Sequence, residues 1–208
     1  MNNRRHDERN ALRLPPESRD SRRRQVGTIA LGDAAVNRFN RLLAHIAPNA
    51  PSVSADQVVT LARWLEQQPQ DQAVAILSER LGRAEHLRRM LNDSDWDVGA
   101  DTRDRARMLT SYLQQVDDLI PDDQPLVGHL DDALLVELSW PAFEGETRDY
   151  ADFCRFRALE RPRGSSTERR LAWETACLAE AALLQQRRGV RSRSYVASPG
   201  LPDFIRVT

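Results

Sequence analysis

The sequence predicts an all-α protein, folded as a single helical bundle of seven or eight helices. Apolar residues recur at helical spacing through most of the 208 residues, and no segment alternates as a strand would. Two Ser-x-x-Gln/Glu patterns mark helix starts. Hydrophobic residues make up 40% of the chain and aromatic residues only 6%, so we expect a core of mainly Leu, Val and Ala.

The N-terminal 30 residues predict a disordered basic arm, because they are Arg-rich and show no periodicity. A helical domain is expected over 31–188. Its first helix is predicted from an apolar stripe that ends before Pro48 and consists of Val36, Phe39, Leu42, Leu43 and Ile46.

Two further helices complete the N-terminal part of the domain, 31–92. Ser54 and Gln57 form a capping box for one helix, and Asp71 is the predicted cap of the next. Gly82 can break or kink this third helix. The segment Asn92–Gly99 has the composition of a loop.

The second part of the domain, 101–160, begins with a helix predicted to start at Asp101 or Thr102. After an aspartate-rich loop, Leu130–Trp140 is predicted as a helix buried nearly all round, and Pro141 is compatible with the first turn of a helix that reaches 160.

The last predicted helix covers 165–188. Ser165 and Glu168 form the second capping box at its start. A basic tail, 189–208, follows.

Charge is distributed unevenly, although the formal net charge is only −1. Both ends are basic, with five Arg and one Asp over 187–208, whereas 117–160 carries twelve acidic residues and three Arg. The basic ends are expected to be solvated or to contact the acidic face of the domain. Weak nucleic-acid binding through them is an alternative, although their Arg residues are not interleaved with aromatics.

The chemistry available to the chain is limited by its composition. All 30 basic residues are Arg, so a Walker-type phosphate loop, a kinase-type site and a pyridoxal enzyme, each of which needs a Lys, are excluded. The motifs GxSxG, GxGxxG, HExxH and paired CxxC are absent. Whether the protein is an enzyme is left open by the sequence.

The compartment is predicted from the two cysteines and the hydropathy. Cys154 and Cys177 fit no CxxC pattern and predict buried free thiols. No apolar run is long enough to span a bilayer. We therefore expect a cytoplasmic protein without a transmembrane segment.

The aspartate-rich loop, Asp117–Asp132, holds six Asp, two Pro, one Gly and one His. A structural interpretation accounts for these residues. Pro121 and Pro125 shape the path, Gly128 takes a backbone conformation closed to other residues, and Asp131 or Asp132 caps the next helix.

The alternative interpretation is a site for Mg²⁺, Mn²⁺ or Ca²⁺. Neighbouring side chains on a helix diverge, so one ion would take Asp118, Asp122 and either Asp131 or Asp132, with His129 at the rim. Partners that could neutralise the cluster are Arg103, Arg105, Arg107 and Arg148. Glu137, which lies within an apolar helix, is expected to pair with an Arg.

The spaced pattern of this loop resembles the signature of the YkvA-like family, a bacterial domain of unknown function. The matching residues are Asp118, Ile120, Pro121, Asp122, Pro125, Gly128, Asp131 and Asp132. The resemblance covers about 103–160 and implies a small domain of two helices joined by this loop. Many relatives look membrane-associated, but here Glu137 interrupts the helix after the loop, and Glu144, Glu146, Asp149 and Asp152 come soon after. The family has no established catalytic residues to transfer.

The leading hypothesis is a helical interaction or regulatory protein with a protein partner, whose loop is a rigid corner. The alternative is a divalent-metal-dependent hydrolase acting on a phosphoester. The sequence identifies neither the partner, the substrate, the pathway nor the oligomeric state.

Overall fold

The computed structural model describes residues 12–16, 24–26, 29–115 and 119–193, and side chains as far as residue 188. Seven α-helices and one 3-10 turn lie within these ranges. The all-α prediction is confirmed. The helices are α1 (Asp33–Ile46), α2 (Ala55–Glu66), α3 (Gln70–Asn92), α4 (Ala100–Tyr112), α5 (Leu130–Ser139), α6 (Glu144–Glu160) and α7 (Ser166–Arg193), and the 3-10 turn is Trp140–Ala142.

The chain forms two compact units, Met1–Asp152 and Phe153–Thr208, and the division falls within α6. In the first unit α5 is the central helix, since every residue from Leu130 to Val136 is buried. Helix α3 packs along α5, and α1 and α4 pack on both each other and α5. The prediction that this helix is buried nearly all round is confirmed.

Both predicted capping boxes are present. The Ser54 hydroxyl accepts from the Gln57 amide at 3.3 Å, and the Gln57 side chain accepts from the Ser54 amide at 2.9 Å. Ser165 and Glu168 are paired in the same way, with amide bonds of 3.3 and 2.7 Å. Each box satisfies two amides that the first helical turn leaves without backbone partners.

Two predicted helix starts are wrong, and helix α3 is not broken at Gly82. Helix α3 begins at Gln70 with Pro69 at the N-cap, so Asp71 lies in the first turn, where the helix dipole favours an acid. Helix α4 begins at Ala100 with Gly99 at the N-cap. Gly82 does not interrupt α3, because packing on α5 fixes a helix that propensity alone would weaken.

Parts of the predicted N-terminal arm lie against the helices. Leu12 and Val26 are buried, and the Gln57 side chain donates to the Pro15 carbonyl at 2.8 Å. Gln25–Val26 and Ile29–Ala30 form a short antiparallel strand pair that the sequence did not predict. The remaining arm residues, and residues 194–208 of the predicted tail, lie outside the described ranges.

The predicted loop after α3 is confirmed, and α6 holds it in place. The Trp96 indole N–H donates to Glu146 at 2.9 Å, and the Tyr150 hydroxyl donates to Asp93 at 3.1 Å. The two rings lie 5.6 Å apart. This polar and aromatic contact fixes a loop whose composition alone predicted only irregular structure.

The predictions about membrane-spanning helices and about the cysteines can be compared with the structure. Among the described residues, every helix is too short or too polar to cross a membrane. Cys154 and Cys177 are free thiols, as predicted, but both are half-buried rather than buried.

Candidate metal centre

The loop between α4 and α5 is a succession of tight turns. The Gln124 amide donates to the Pro121 carbonyl at 3.1 Å, and the Val127 amide donates to the Pro125 carbonyl at 2.8 Å. Proline fixes φ near −65° and has no N–H, so both prolines serve these turns as acceptors only. Their predicted role in shaping the loop agrees with this path.

Position 128 requires glycine because the surrounding backbone leaves no room for a side chain, and not because of its backbone angle. A Cβ at this position would lie 2.7 Å from the Asp122 carbonyl oxygen and 2.9 Å from the Gln124 carbonyl oxygen. The expectation of an unusual conformation is therefore wrong. Among the described residues of the loop, Leu126 has the left-handed backbone conformation, with φ of 66°. The compact path thus depends on close backbone approach at one position and local strain at another.

Asp131 is fully buried, and its Oδ2 atom joins both sides of the loop. This atom accepts from the Tyr112 hydroxyl at 2.8 Å and from the Leu119 and Ile120 amides at 3.1 and 3.3 Å. Burial raises the pKa of Asp131 to about 6, against the lowering effect of these hydrogen bonds. Oδ1 has no hydrogen-bond partner, so it is the oxygen that would carry the proton of the neutral form.

Asp122, His129 and Asp132 come together at the first turn of α5, away from the contact between Asp131 and Tyr112. One ligand atom from each lies within 4.8 Å of the other two. The His129 Nδ1 atom is 3.0 Å from the Asp122 Oδ1 atom and 3.6 Å from the Asp132 Oδ2 atom. The Asp132 side chain is 7% exposed and that of His129 52%. The group is therefore buried at Asp132 and open to solvent at His129.

The structure divides the predicted ligand set. Asp122 and Asp132 meet with His129, whereas Asp131 points to Tyr112 and the loop amides. The prediction that adjacent aspartates diverge agrees with this arrangement. His129 occupies the N-cap position without a side-chain cap bond, so the expectation that Asp131 or Asp132 caps α5 is wrong. Asp118 lies outside the described residues.

None of the four arginines proposed to neutralise the cluster forms an ion pair with its described residues. Each pairs instead with a nearby acid of its own segment: Arg103 with Asp97, Arg105 with Asp101, Arg107 with Asp104, and Arg148 with Asp149. Short sequence separation favours such pairs, because holding the side chains together costs less entropy. The His129 ring contacts both Asp122 and Asp132.

The expected partner of Glu137 is confirmed as arginine. A single Glu137 oxygen accepts from Arg80 at 3.0 Å and from Arg83 at 3.1 Å. Arg80 is 1% exposed and also donates to Glu79 and to the Ile76 carbonyl. The buried charge is thus compensated within the α3–α5 contact.

Sequence reasoning did not identify Tyr112 as part of the loop. It is the last residue of α4, and Phe39 packs edge-on against its ring. Its hydroxyl reaches Asp131 from 19 positions away. A buried tyrosine generally needs a polar partner for its hydroxyl, and this requirement could have indicated that Tyr112 contacts a polar group.

Comparison with family models, curated proteins and solved structures finds no match to this chain. The resemblance to the YkvA-like family therefore stays a prediction. The description of the site depends on its geometry alone.

Proposed function

We propose that this chain is a helical protein that binds a protein partner and also binds a divalent metal ion. The ion is held by Asp122, His129 and Asp132. The observation that carries the proposal is the convergence of one nitrogen and two carboxylate ligand atoms within 4.8 Å of one another. Ligand atoms bonded to one ion at about 2.1 Å lie roughly 3 to 3.5 Å apart, close to the two distances from His129. Little rearrangement would be needed to admit an ion.

The donor set favours Mn²⁺ or Zn²⁺ over Mg²⁺ or Ca²⁺. The latter two prefer all-oxygen coordination, whereas imidazole suits transition metals. Metal ligands must be deprotonated to bind an ion, so metal binding should weaken as the pH falls.

The role proposed for the ion is to fix the aspartate loop in one form. Asp122 lies in the turns of the loop, whereas Asp132 is on the first turn of α5. An ion shared by these residues would cross-link the loop to the central helix. The loop would then present a fixed surface to a protein partner.

A thermal melt of the EDTA-treated protein, with and without Mn²⁺, Zn²⁺, Mg²⁺ or Ca²⁺, tests metal binding. An ion at about 100 times its Kd stabilises the native state by about 2.7 kcal/mol. For a chain of this size we expect Tm to rise by about 5 to 10 °C. The rise should be largest with Mn²⁺ or Zn²⁺.

The matched variants are His129→Gln and Asp122→Asn, which should abolish the rise, and Asp123→Asn, which should keep it because Asp123 is an exposed neighbour outside the cluster. Absence of a shift in the wild type would overturn the proposal. An equal shift in His129→Gln would mean that any bound ion lies elsewhere.

Metal-dependent hydrolysis of a phosphoester is a second candidate function, favoured by the open rim at His129. Three protein ligands leave coordination positions for water and substrate, as catalytic metal sites require. It predicts turnover of a phosphoester panel that needs the metal and is lost in Asp122→Asn. Metal binding without turnover would leave the interaction role as the better account.

A further inference from the structure

An open cleft of about 480 Å³ lies between α3 and the chain that leads from α5 into α6. One wall is the face of α3 that runs from Glu79 to Arg89, and the other is formed by Trp140 and the first turns of α6. Small-molecule sites in proteins have volumes of about 300 to 1,000 Å³, so the cleft has the size of a ligand site. All of its lining residues belong to the first unit, Met1–Asp152.

Gly82 lies in the wall of the cleft, in the interior of α3. Glycine is less favourable than alanine at such a position, because it loses more backbone entropy when the helix forms. The packing of the protein does not require it, since a Cβ at Gly82 would meet nothing within 4 Å. The missing side chain instead leaves space in the cleft, and an occupant of the cleft is a physical reason for glycine here.

Arg83 and Trp140 form a flat surface in the cleft. The guanidinium carbon of Arg83 lies 5.5 Å from the centroid of the Trp140 ring. Two carboxylates hold this guanidinium in place, because it donates to Glu79 at 3.2 Å and to Glu137 at 3.1 Å. Planar rings such as nucleic-acid bases stack on aromatic side chains and on guanidinium planes. This part of the cleft therefore offers a fixed surface for a planar ring.

Two further basic side chains of the cleft are little used by the fold. Arg89 is exposed and makes no hydrogen bond or ion pair with the described residues of the chain. Arg148 approaches its neighbour Asp149 only at 3.9 Å, and both side chains are exposed. A guanidinium presents several N–H donors in a plane that matches the oxygens of a phosphate or a carboxylate. These two arginines can therefore bind an anionic group.

His86 lies between Arg83 and Arg89 along α3 and also lines the cleft. Its ring is half-buried and packs edge-on against Tyr150 at 5.7 Å. Neither ring nitrogen has a hydrogen-bond partner within the described ranges. A polar atom in a partly buried place is more stable with a partner, and a ligand that lies along the cleft can supply one.

The charge of the cleft suits a ligand with a single anionic group. Three Arg and two Glu line it, which leaves one surplus positive charge when His86 is neutral. Glu79 already pairs with Arg83, whereas Glu144 has no ion pair among the residues that the structure describes. Glu144 would repel a second anionic group, and it can accept a hydrogen bond from an N–H or hydroxyl of the ligand.

We propose that this cleft binds a small planar heterocycle that carries one anionic group. The ring stacks against Arg83 and Trp140, and the anionic group binds Arg89 and Arg148. Arg83 and Arg89 are six positions apart, or about 9 Å along the helix axis, so a short linker separates the ring from the anionic group. A nucleoside monophosphate has this arrangement. The cleft shares no residue with the proposed metal site.

Isothermal titration calorimetry of the full chain in EDTA, with AMP, indole-3-acetate, adenosine and inorganic phosphate, measures the binding. We expect AMP or indole-3-acetate to bind with a Kd below about 1 mM, and adenosine and phosphate to bind at least about tenfold more weakly. The tighter of the first two ligands identifies the anionic group as phosphate or carboxylate. A Kd above about 10 mM for both of them would overturn the proposal. Phosphate that binds as tightly as both would overturn the role of the ring.

Gly82→Leu tests whether the ligand occupies the cleft. The new side chain projects into free space from a helix that tolerates leucine well, so the circular dichroism spectrum should not change. Binding of AMP and indole-3-acetate should be lost. Ala75→Leu is the control, since it adds leucine at an exposed position of α3 outside the cleft and should bind like the wild type. Undiminished binding in Gly82→Leu would show that the ligand binds elsewhere.

Arg89→Gln with Arg148→Gln tests the contact with the anionic group. Loss of charged hydrogen bonds should weaken the binding of AMP and indole-3-acetate about tenfold or more, and should leave adenosine unaffected. Arg41→Gln with Arg107→Gln removes the same charge at two exposed positions outside the cleft and should bind like the wild type. Equal weakening in both double variants would mean that only the net charge of the protein matters, which would contradict the proposed site.

Discussion

Asp131 shows how a buried acid can be kept for structure rather than chemistry. Its side chain is 0% exposed, and one oxygen accepts from Tyr112, Leu119 and Ile120. Three donors on one atom organise the loop, whereas burial penalises the charge of the carboxylate. The same residue therefore stabilises the fold more when it is neutral.

The stability of the protein should depend on pH through Asp131. Its pKa is about 6 in the folded chain and 3.8 without burial, so folding favours the protonated form. Its contribution is fully present below about pH 4 and is lost as the pH rises to about 6 and beyond. The loss is on the order of 3 kcal/mol. Unfolding in urea at a series of pH values measures it.

Asp131→Asn is the test variant, because the amide keeps an acceptor oxygen and does not titrate. Its unfolding free energy should lack this decline with rising pH. Asp123→Asn, at an exposed position, should keep the wild-type slope. A slope that is identical in wild type and Asp131→Asn would show that Asp131 does not titrate as its burial implies.

Gly128 and Gly82 should respond to alanine with opposite signs. Gly128→Ala forces a Cβ to within 3.0 Å of three backbone atoms, so we expect a loss of about 2 kcal/mol. At Gly82, within α3, a Cβ meets nothing within 4 Å, and alanine should add about 0.5 to 1 kcal/mol. Denaturant midpoints of the two variants give the comparison. A neutral Gly128→Ala would mean that the loop backbone can yield at this point.

Few of the individual side-chain contacts of the loop could be predicted from the sequence. Pro121, Pro125 and Gly128 predicted a compact loop, but Gly128 is needed there because a side chain would not fit, and not because of its backbone angle. The choice between Asp131 and Asp132 as ligand could not be made, since it depends on the rotation of α5 against α4. The partner of His129 depends on the same rotation.

At the scale of elements, the contact between α3 and α5 contains a buried ionic link. Arg80 and Arg83 on α3 share one oxygen of Glu137 on α5. Removing one partner of a buried pair leaves an uncompensated charge in a poorly solvated place. The link joins α3 to α5 where the two helices pack along each other.

Glu137→Ala should destabilise the protein by about 2 kcal/mol, because the buried Arg80 would lose one charged hydrogen bond while it keeps Glu79 and the Ile76 carbonyl. Glu85→Ala is the control. Glu85 forms an exposed pair with Arg88 at 3.5 Å, and its removal should cost no more than about 1 kcal/mol. Chemical denaturation distinguishes the two values. Similar costs would show that the Glu137 link is as weak as a surface pair.

Most elements could be predicted because their signals are local. Capping boxes and apolar stripes involve residues three or four apart, so the sequence contains the whole interaction. The starts of α3 and α4 were placed wrongly because Pro69 and Gly99 occupy the N-cap without a side-chain bond. The strand pair near Val26 depends on packing that no short window contains.

At the scale of the whole molecule, composition and periodicity predicted the all-α class. The core of the first unit is centred on helix α5, which is buried from Leu130 to Val136 although it carries Asp131 and Asp132. The exposed leucines of α7 could not be told apart from core leucines by their spacing, because both follow the same period. Only the structure separates a helix that is covered from one whose face is open.

The hydrogen bonds to Asp131 also bear on how the protein opens. The end of α4, the start of the loop and the start of α5 meet at one carboxylate oxygen. None of the three can separate from it without exposing polar groups that the others satisfied. We therefore expect the amides of Leu119 and Ile120 to exchange their hydrogen with solvent together with those of α5, although they lie in a loop.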